Sequence, residues 1–160
     1  MIFFTLGTER FPFKRLIHAA EESAAGAFPE PVVAQIGRDG EPPPAGCQTF
    51  GSMAYPQFVD YLKQARIVVS HAGVGTIVSC LRLGIIPIIL PRQKRFGEHV
   101  DDHQIHFAKK MEEEGHILLA KSQEDIPNLI QEYHQSLAAC QRVSSQPQLA
   151  AALMDYLGHA

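Results

Sequence analysis

Between Val68 and Pro91 the chain reads VVSHAGVGTIVSCLRLGIIPIILP. An apolar run stops at Ser70, and His71, Gly73, Gly75 and Thr76 follow before a helical pattern begins. A helix start carries unpaired backbone N–H groups and a partial positive charge, so it attracts phosphate. Gly73 and Gly75 would let a phosphate approach the backbone, Thr76 offers a hydroxyl, and His71 offers a ring N–H. The same residues also read as a tight turn with a capping histidine. A dinucleotide fingerprint is disfavoured, because GVGTIV lacks the G-x-G-x-x-G spacing and no acid sits at a strand end at the usual distance.

A second cluster lies in PRQKRFGEHVDDHQ, which holds Arg92, Lys94, Arg95, Glu98, His99, Asp101, Asp102, His103 and Gln104. Such a run is commonly a solvated loop. Here Gly97 implies a shaped loop, and the run ends at a helix start in Asp-Asp-His-Gln. Adjacent acid and amide groups there can bond neighbouring sugar hydroxyls, and Arg92 or Arg95 can balance phosphate charge. A metal site formed by His99, Asp101, Asp102 and His103 is the rival, but the spacing matches no metal motif and no metal is expected. Gly7 and Thr8, after the first apolar run, read as an ordinary turn or as a second wall for the same phosphates. His18, His106, His116 and His134 read as structural or exposed, and Tyr133 and Tyr156 as packing residues.

Elements alternate around these loops. Strands are expected at 2–6, 31–37, 47–51, 66–70, 85–90 and 116–120. Helical periodicity marks 14–24, 55–65, 73–84 and 103–115, with Gly84 and Gly115 as C-terminal stops. A helix capped by Ser122 is expected over 122–137, and a last one over 149–158. Apolar strands each followed by a helix imply an α/β fold, a Rossmann-like parallel sheet with helices on both faces. In such sheets ligands bind beyond the carboxyl ends of the strands, where these clusters fall.

The bulk numbers agree with one domain of 160 residues, 46% of them hydrophobic and 19% charged. A net charge of -3 disfavours nucleic acid as a partner. Cys47, Cys80 and Cys140 fit neither a disulfide framework nor a zinc site, so reduced thiols in a cytoplasmic protein are expected. MIFFTLG is no signal peptide, and GIIPIIL is too short to span a bilayer.

With LGT at the first strand end, SHAG-G-T and the PR…GEH..DHQ loop, residues 2–137 resemble the C-terminal, nucleotide-sugar-binding domain of glycosyltransferase family 28. Within that family the chain is most similar to small subunits of bacterial exopolysaccharide glycosyltransferases. It is also similar to the catalytic subunit of the enzyme that adds the second N-acetylglucosamine to dolichol diphosphate, and to the donor half of the peptidoglycan N-acetylglucosaminyltransferase. The resemblance implies the C-terminal half of a GT-B enzyme that binds a UDP-sugar without a cofactor.

It places Gly7, Thr8, His71, Gly73, Gly75 and Thr76 at the diphosphate, the backbone of Met53, Ala54 and Tyr55 at uracil, and Asp102, His103 and Gln104 at the donor sugar. Ser79 stands where many relatives carry a glutamate that grips the ribose. It further implies inverting, metal-independent transfer to a lipid-diphosphate-linked glycan. A membrane-associated partner subunit would hold the acceptor, recruit this chain to the inner membrane face and supply the catalytic base. Glu98 and His99 are the candidates for that base within this chain. The helix from about residue 147 is expected to dock on the partner. Two other readings stand beside this one, a UDP-sugar-binding activator without catalysis and an epimerase-like enzyme.

Overall fold

The computed structural model describes residues 1–26, 28–37 and 42–140. Six parallel strands form its centre: β1 (Ile2–Thr5), β2 (Val32–Gln35), β3 (Gln48–Phe50), β4 (Ile67–Ser70), β5 (Ile88–Ile89) and β6 (Leu118–Leu119). Their order across the sheet is β3-β2-β1-β4-β5-β6. Among the described residues, six α-helices connect or follow them: α1 (Lys14–Ala25), α2 (Tyr55–Gln64), α3 (Val74–Arg82), α4 (His103–Glu113), α5 (Asp125–Gln131) and α6 (Tyr133–Cys140).

Strands β1, β2, β4 and β5 are buried at every position and largely apolar because both faces are covered. Ile2, Phe4, Ala34, Val69 and Ile88 pack with Leu16 and Ile17 of α1, Ile126 and Ile130 of α5 and Tyr133 of α6. On the opposite face Phe3, Val33 and Val68 meet Leu62 of α2 and Cys80 of α3, while Ile89 meets Phe107 and Met111 of α4. The period-2 alternation of β1 thus assigns α1, α5 and α6 to one face and α2, α3 and α4 to the other.

The expected strands 85–90 and 116–120 pair over only two residues each. The helix expected over 122–137 is two helices, divided at Glu132. Tyr133 opens the second, and its buried ring sends the hydroxyl to the Ile86 carbonyl at 2.7 Å, which ties the helix start to the entry of β5. Ser122 is not the cap residue; the Asp125 carboxylate accepts the Lys121 and Ser122 N–H groups instead. Gly84 and Gly115 do follow helix ends in left-handed geometry, with φ of 72° and 73°. The helix expected over 149–158 lies outside the described residues. Among the described residues no helix is long and apolar enough to cross a membrane.

Candidate functional site

β1 and β4 are neighbours, but the helix after β1 lies on one face and the helix after β4 on the other. Their outgoing loops therefore separate and leave a crevice at the carboxyl edge, where an open α/β sheet takes its ligand. A cavity of about 400 Å³ occupies it. Gly7 and Thr8 form one wall, Met53 and Tyr55 another, and His71, Gly73, Gly75, Thr76 and Ser79 the third. Nine of the residues singled out from the sequence thus share one hollow. Ala54, between two lining residues, is the N-cap of α2.

His71 is the pivot of this hollow. Its ring is buried, and Nδ1 lies 3.2 Å from the Ser70 hydroxyl, whose oxygen is 3.2 Å from the Thr5 carbonyl. A Cβ on Gly7 would stand 2.5 Å from the ring's Cε1, and one on Gly73 would run into Nε2. Both glycines are therefore required by the histidine, and Gly7 also needs its φ of +79°. Gly75 differs, since a Cβ there would meet nothing within 4 Å. The glycine spacing read as access for phosphate thus has two parts: Gly73 makes room for His71, and Gly75 keeps the helix start open. The first intrahelical bond of α3 runs from Ile77 N–H to the Gly73 carbonyl, and no side chain caps the end. The N–H groups of Val74, Gly75 and Thr76 are thus left without intrahelical acceptors at the crevice.

Burial, then the nearby Arg92 guanidinium and His99, push the His71 pKa down from 6.5 to about 4. The imidazole is neutral at pH 7. The unfolded chain binds more protons than the folded one between about pH 6.5 and 4, so stability falls as pH drops through that window. The expected loss from this group is up to about 1.4 kcal/mol per pH unit. Urea unfolding at several pH values should show it, with a shallower slope in His71→Asn.

Three lining residues carried no functional reading in the sequence: Thr5, Gln35 and Phe58. Gln35 ends an apolar strand, and a lone amide in that position was the available signal. Its Oε1 accepts the Thr5 hydroxyl at 2.7 Å, and its Nε2 donates to the carbonyls of Gly7 and Gly51, each at 3.3 Å. One side chain thus fixes the loops after β1 and β3 relative to each other. Ser79 donates to the Gly75 carbonyl at 2.8 Å and lies 3.3 Å from the Tyr55 hydroxyl. The crevice therefore has two neighbouring hydroxyls at this point.

The 91–104 loop behaves differently from its sequence reading. Arg92 is 1% exposed and donates to the carbonyls of Leu6 and Phe11, both at 2.8 Å, and of Glu98 at 3.2 Å. Its guanidinium also stacks on Phe13. Arg92 thus acts as a structural clamp on three segments. Arg95 donates to the Gln93 side chain at 2.7 Å.

Glu98, a candidate base, is buried in an ion pair with Arg15 and also accepts the Gln93 N–H. Both of its carboxylate oxygens are thus engaged inside the protein, and this geometry opposes that role. His99, the other candidate, accepts the Asp101 N–H at Nδ1. Asp102 accepts the Lys94 N–H, His103 pairs with Asp101, and buried Gln104 accepts the Arg92 N–H at 3.2 Å. None of Arg92, Asp102, His103 and Gln104 lines the cavity; they stand beside it on the loop after β5 and the start of α4.

A doubly wound sheet with an open helix start at its switch point defines an α/β domain whose crevice suits an anionic ligand. Comparison with known proteins narrows the class. Residues 1–154 match the glycosyltransferase family 28 C-terminal domain, and the chain belongs to that family. It is 32% identical over 59 residues to the UDP-N-acetylglucosamine transferase subunit ALG13 of Yarrowia lipolytica, a match spanning 37% of this chain and 28% of that protein. Among solved structures, the glycotransferase of kitacinnamycin superposes with a TM-score of 0.64 at 20% identity, over 96% of this chain and 39% of that one. MurG of Acinetobacter baumannii gives a TM-score of 0.58 at 15% identity, over 94% of this chain and 48% of that one. SnogD of Streptomyces nogalater gives 0.57 at 17%, over 89% and 37% respectively. The Rossmann-like fold expected from the sequence is the fold these GT-B glycosyltransferases share. This chain spans less than half the length of each.

Proposed function

We propose that this chain binds the UDP-sugar donor of an inverting glycosyl transfer, in a two-part enzyme whose partner subunit binds the acceptor. The observation that carries the reading is the uncapped start of α3 beside neutral His71 and Thr76, at the switch point of a family 28 domain. A diphosphate seated there would receive the N–H groups of Val74, Gly75 and Thr76, the Thr76 hydroxyl and a ring N–H of His71. As the bond between the sugar's anomeric carbon and the phosphate oxygen breaks, its electrons pass to the UDP oxygen. The same donors stabilise that charge.

Uracil would lie against Met53, Ala54 and Tyr55, and the sugar toward Asp102, His103 and Gln104. The proton of the attacking hydroxyl is assigned to a base on the partner, since the ion pair with Arg15 engages Glu98. The resemblance to a transferase subunit supports the two-part assembly. A membrane-associated partner, a lipid-diphosphate-linked glycan as acceptor, and exopolysaccharide or capsule assembly as the setting are the finer parts of the proposal. In it the chain reaches the inner membrane face through its partner.

Calorimetric titration with UDP tests the reading. Saturable binding is expected, weaker for UMP, and weakened by about tenfold or more in His71→Ala through loss of a hydrogen bond to a charged group. Equal affinity for UMP and UDP, or no effect of His71→Ala, would remove the diphosphate from the start of α3.

A further inference from the structure

We propose that His99, Asp101 and His103 form a binding site for one transition-metal dication of the zinc type, beside the nucleotide crevice. The sequence spacing matched no metal motif, yet the fold brings these groups together. Gly97 turns the chain in left-handed geometry, φ 68°, and α4 begins at His103. One ligand atom from each of the three lies within 4.8 Å of the others. The two imidazole rings stand edge to face, centroids 4.6 Å apart. His103 Nδ1 hydrogen-bonds the Asp101 carboxylate, and His99 Nδ1 approaches the same oxygen at 3.3 Å.

That second approach brings both imidazoles to one carboxylate oxygen. In the tautomer that accepts the Asp101 N–H contact at 3.4 Å, His99 Nδ1 presents a lone pair there. It therefore faces a carboxylate oxygen that also carries only lone pairs. Two acceptors at 3.3 Å repel unless a positive charge is shared between them. A metal ion would supply it, replacing N–H donation with coordination to both imidazoles and the carboxylate.

The chemistry and exposure of the cluster select the ion. Two imidazole nitrogens and one carboxylate oxygen suit zinc, cobalt or nickel, whereas magnesium and calcium prefer all-oxygen sets. His99 has a side chain only 12% exposed and rests near the Phe11 ring, which fixes one ligand in advance. Asp101 and His103 are about half exposed, leaving an entry path and room for water in the remaining positions. None of the three lines the crevice, so the inference does not depend on the donor reading. His103 is shared with the proposed sugar contacts, and the measurement is therefore made without nucleotide.

The test is titration of the metal-free chain with Zn²⁺ by calorimetry, followed by Co²⁺ and its visible absorption. One ion per chain is expected, with no saturable heat from Mg²⁺. His99→Ala and Asp101→Asn should each weaken Zn²⁺ binding by about tenfold or more, since a direct ligand matters at least as much as its outer partners. Asp101 is a surface residue, so its variant reports on binding even if His99→Ala disturbs the loop. His18→Ala, at the separate His18–Glu21–Glu22 cluster, should leave binding unchanged. Absence of saturable Zn²⁺ binding, or binding that follows His18 instead of Asp101, would overturn the proposal.

Discussion

Arg92→Ala is expected to lower the unfolding free energy by about 3–5 kcal/mol, seen as a large drop in the urea midpoint with little change in slope. The substitution removes a buried cation and leaves the carbonyls of Leu6, Phe11 and Glu98 without its N–H groups. It also empties the space over the Phe13 ring. Those carbonyls come from the end of β1, the loop before α1 and the loop after β5, so one side chain fastens three segments that border the crevice. Arg92→Lys should recover only a minor part of the loss. An ammonium is a compact point charge, whereas the planar fork reaches carbonyls in separate directions at once. The loss is large against the 5–15 kcal/mol typical of a whole domain. If Arg92 instead neutralised phosphate, Arg92→Ala would keep its stability and lose UDP affinity. That pair of results would return the residue to the ligand site.

The same segment shows where sequence reasoning stops. An arginine just past a strand, beside lysine, arginine and acids, reads as a solvent-facing charge that a ligand could use. Its actual partners are backbone carbonyls, which have no signature in the sequence. Two of them stand 86 and 81 residues away along the chain. Glu98 is hidden for the same reason, because its guanidinium partner is Arg15, 83 residues distant.

The start of α3 was more legible. Its determinants are local: a strand that ends at Ser70, a histidine, and two glycines at a helix start. Even there the division of labour between the glycines was out of reach. Gly73 yields to the His71 ring, and so does the remote Gly7, a second relation that exists only once β1 and β4 lie side by side. The apolar, helix-separated strands announced a parallel sheet covered on both faces. The shortness of β5 and β6 did not show, since Ile85 and Ile86 look as strand-like as Ile88 and Ile89 but fall outside the pairing.

Gly75→Asp is expected to raise stability and abolish nucleotide binding in the same protein. Position 75 lies in the first turn of α3, its φ is not in the left-handed region, and an added Cβ meets no atom within 4 Å. The backbone therefore accepts a side chain without strain. Replacing glycine removes an entropic cost to the helix, and a carboxylate in the first turn answers the helix dipole and the free N–H groups. Together these contribute about 0.5–1.5 kcal/mol, read as a higher urea midpoint.

The same carboxylate would stand where the diphosphate is proposed to sit. Two like charges about 5 Å apart at an effective dielectric near 20 repel by roughly 3 kcal/mol, so UDP affinity should fall by about 100-fold or more. Gly75→Ala separates the two effects, because it adds the side chain without the charge and should keep most of the affinity. A stabilised Gly75→Asp that still binds UDP would show that the nucleotide lies elsewhere. A loss of binding with equal loss in Gly75→Ala would make the requirement steric rather than electrostatic. Opposite movement of stability and affinity, confined to the charged variant, is the outcome that only an anion seated on the start of α3 explains.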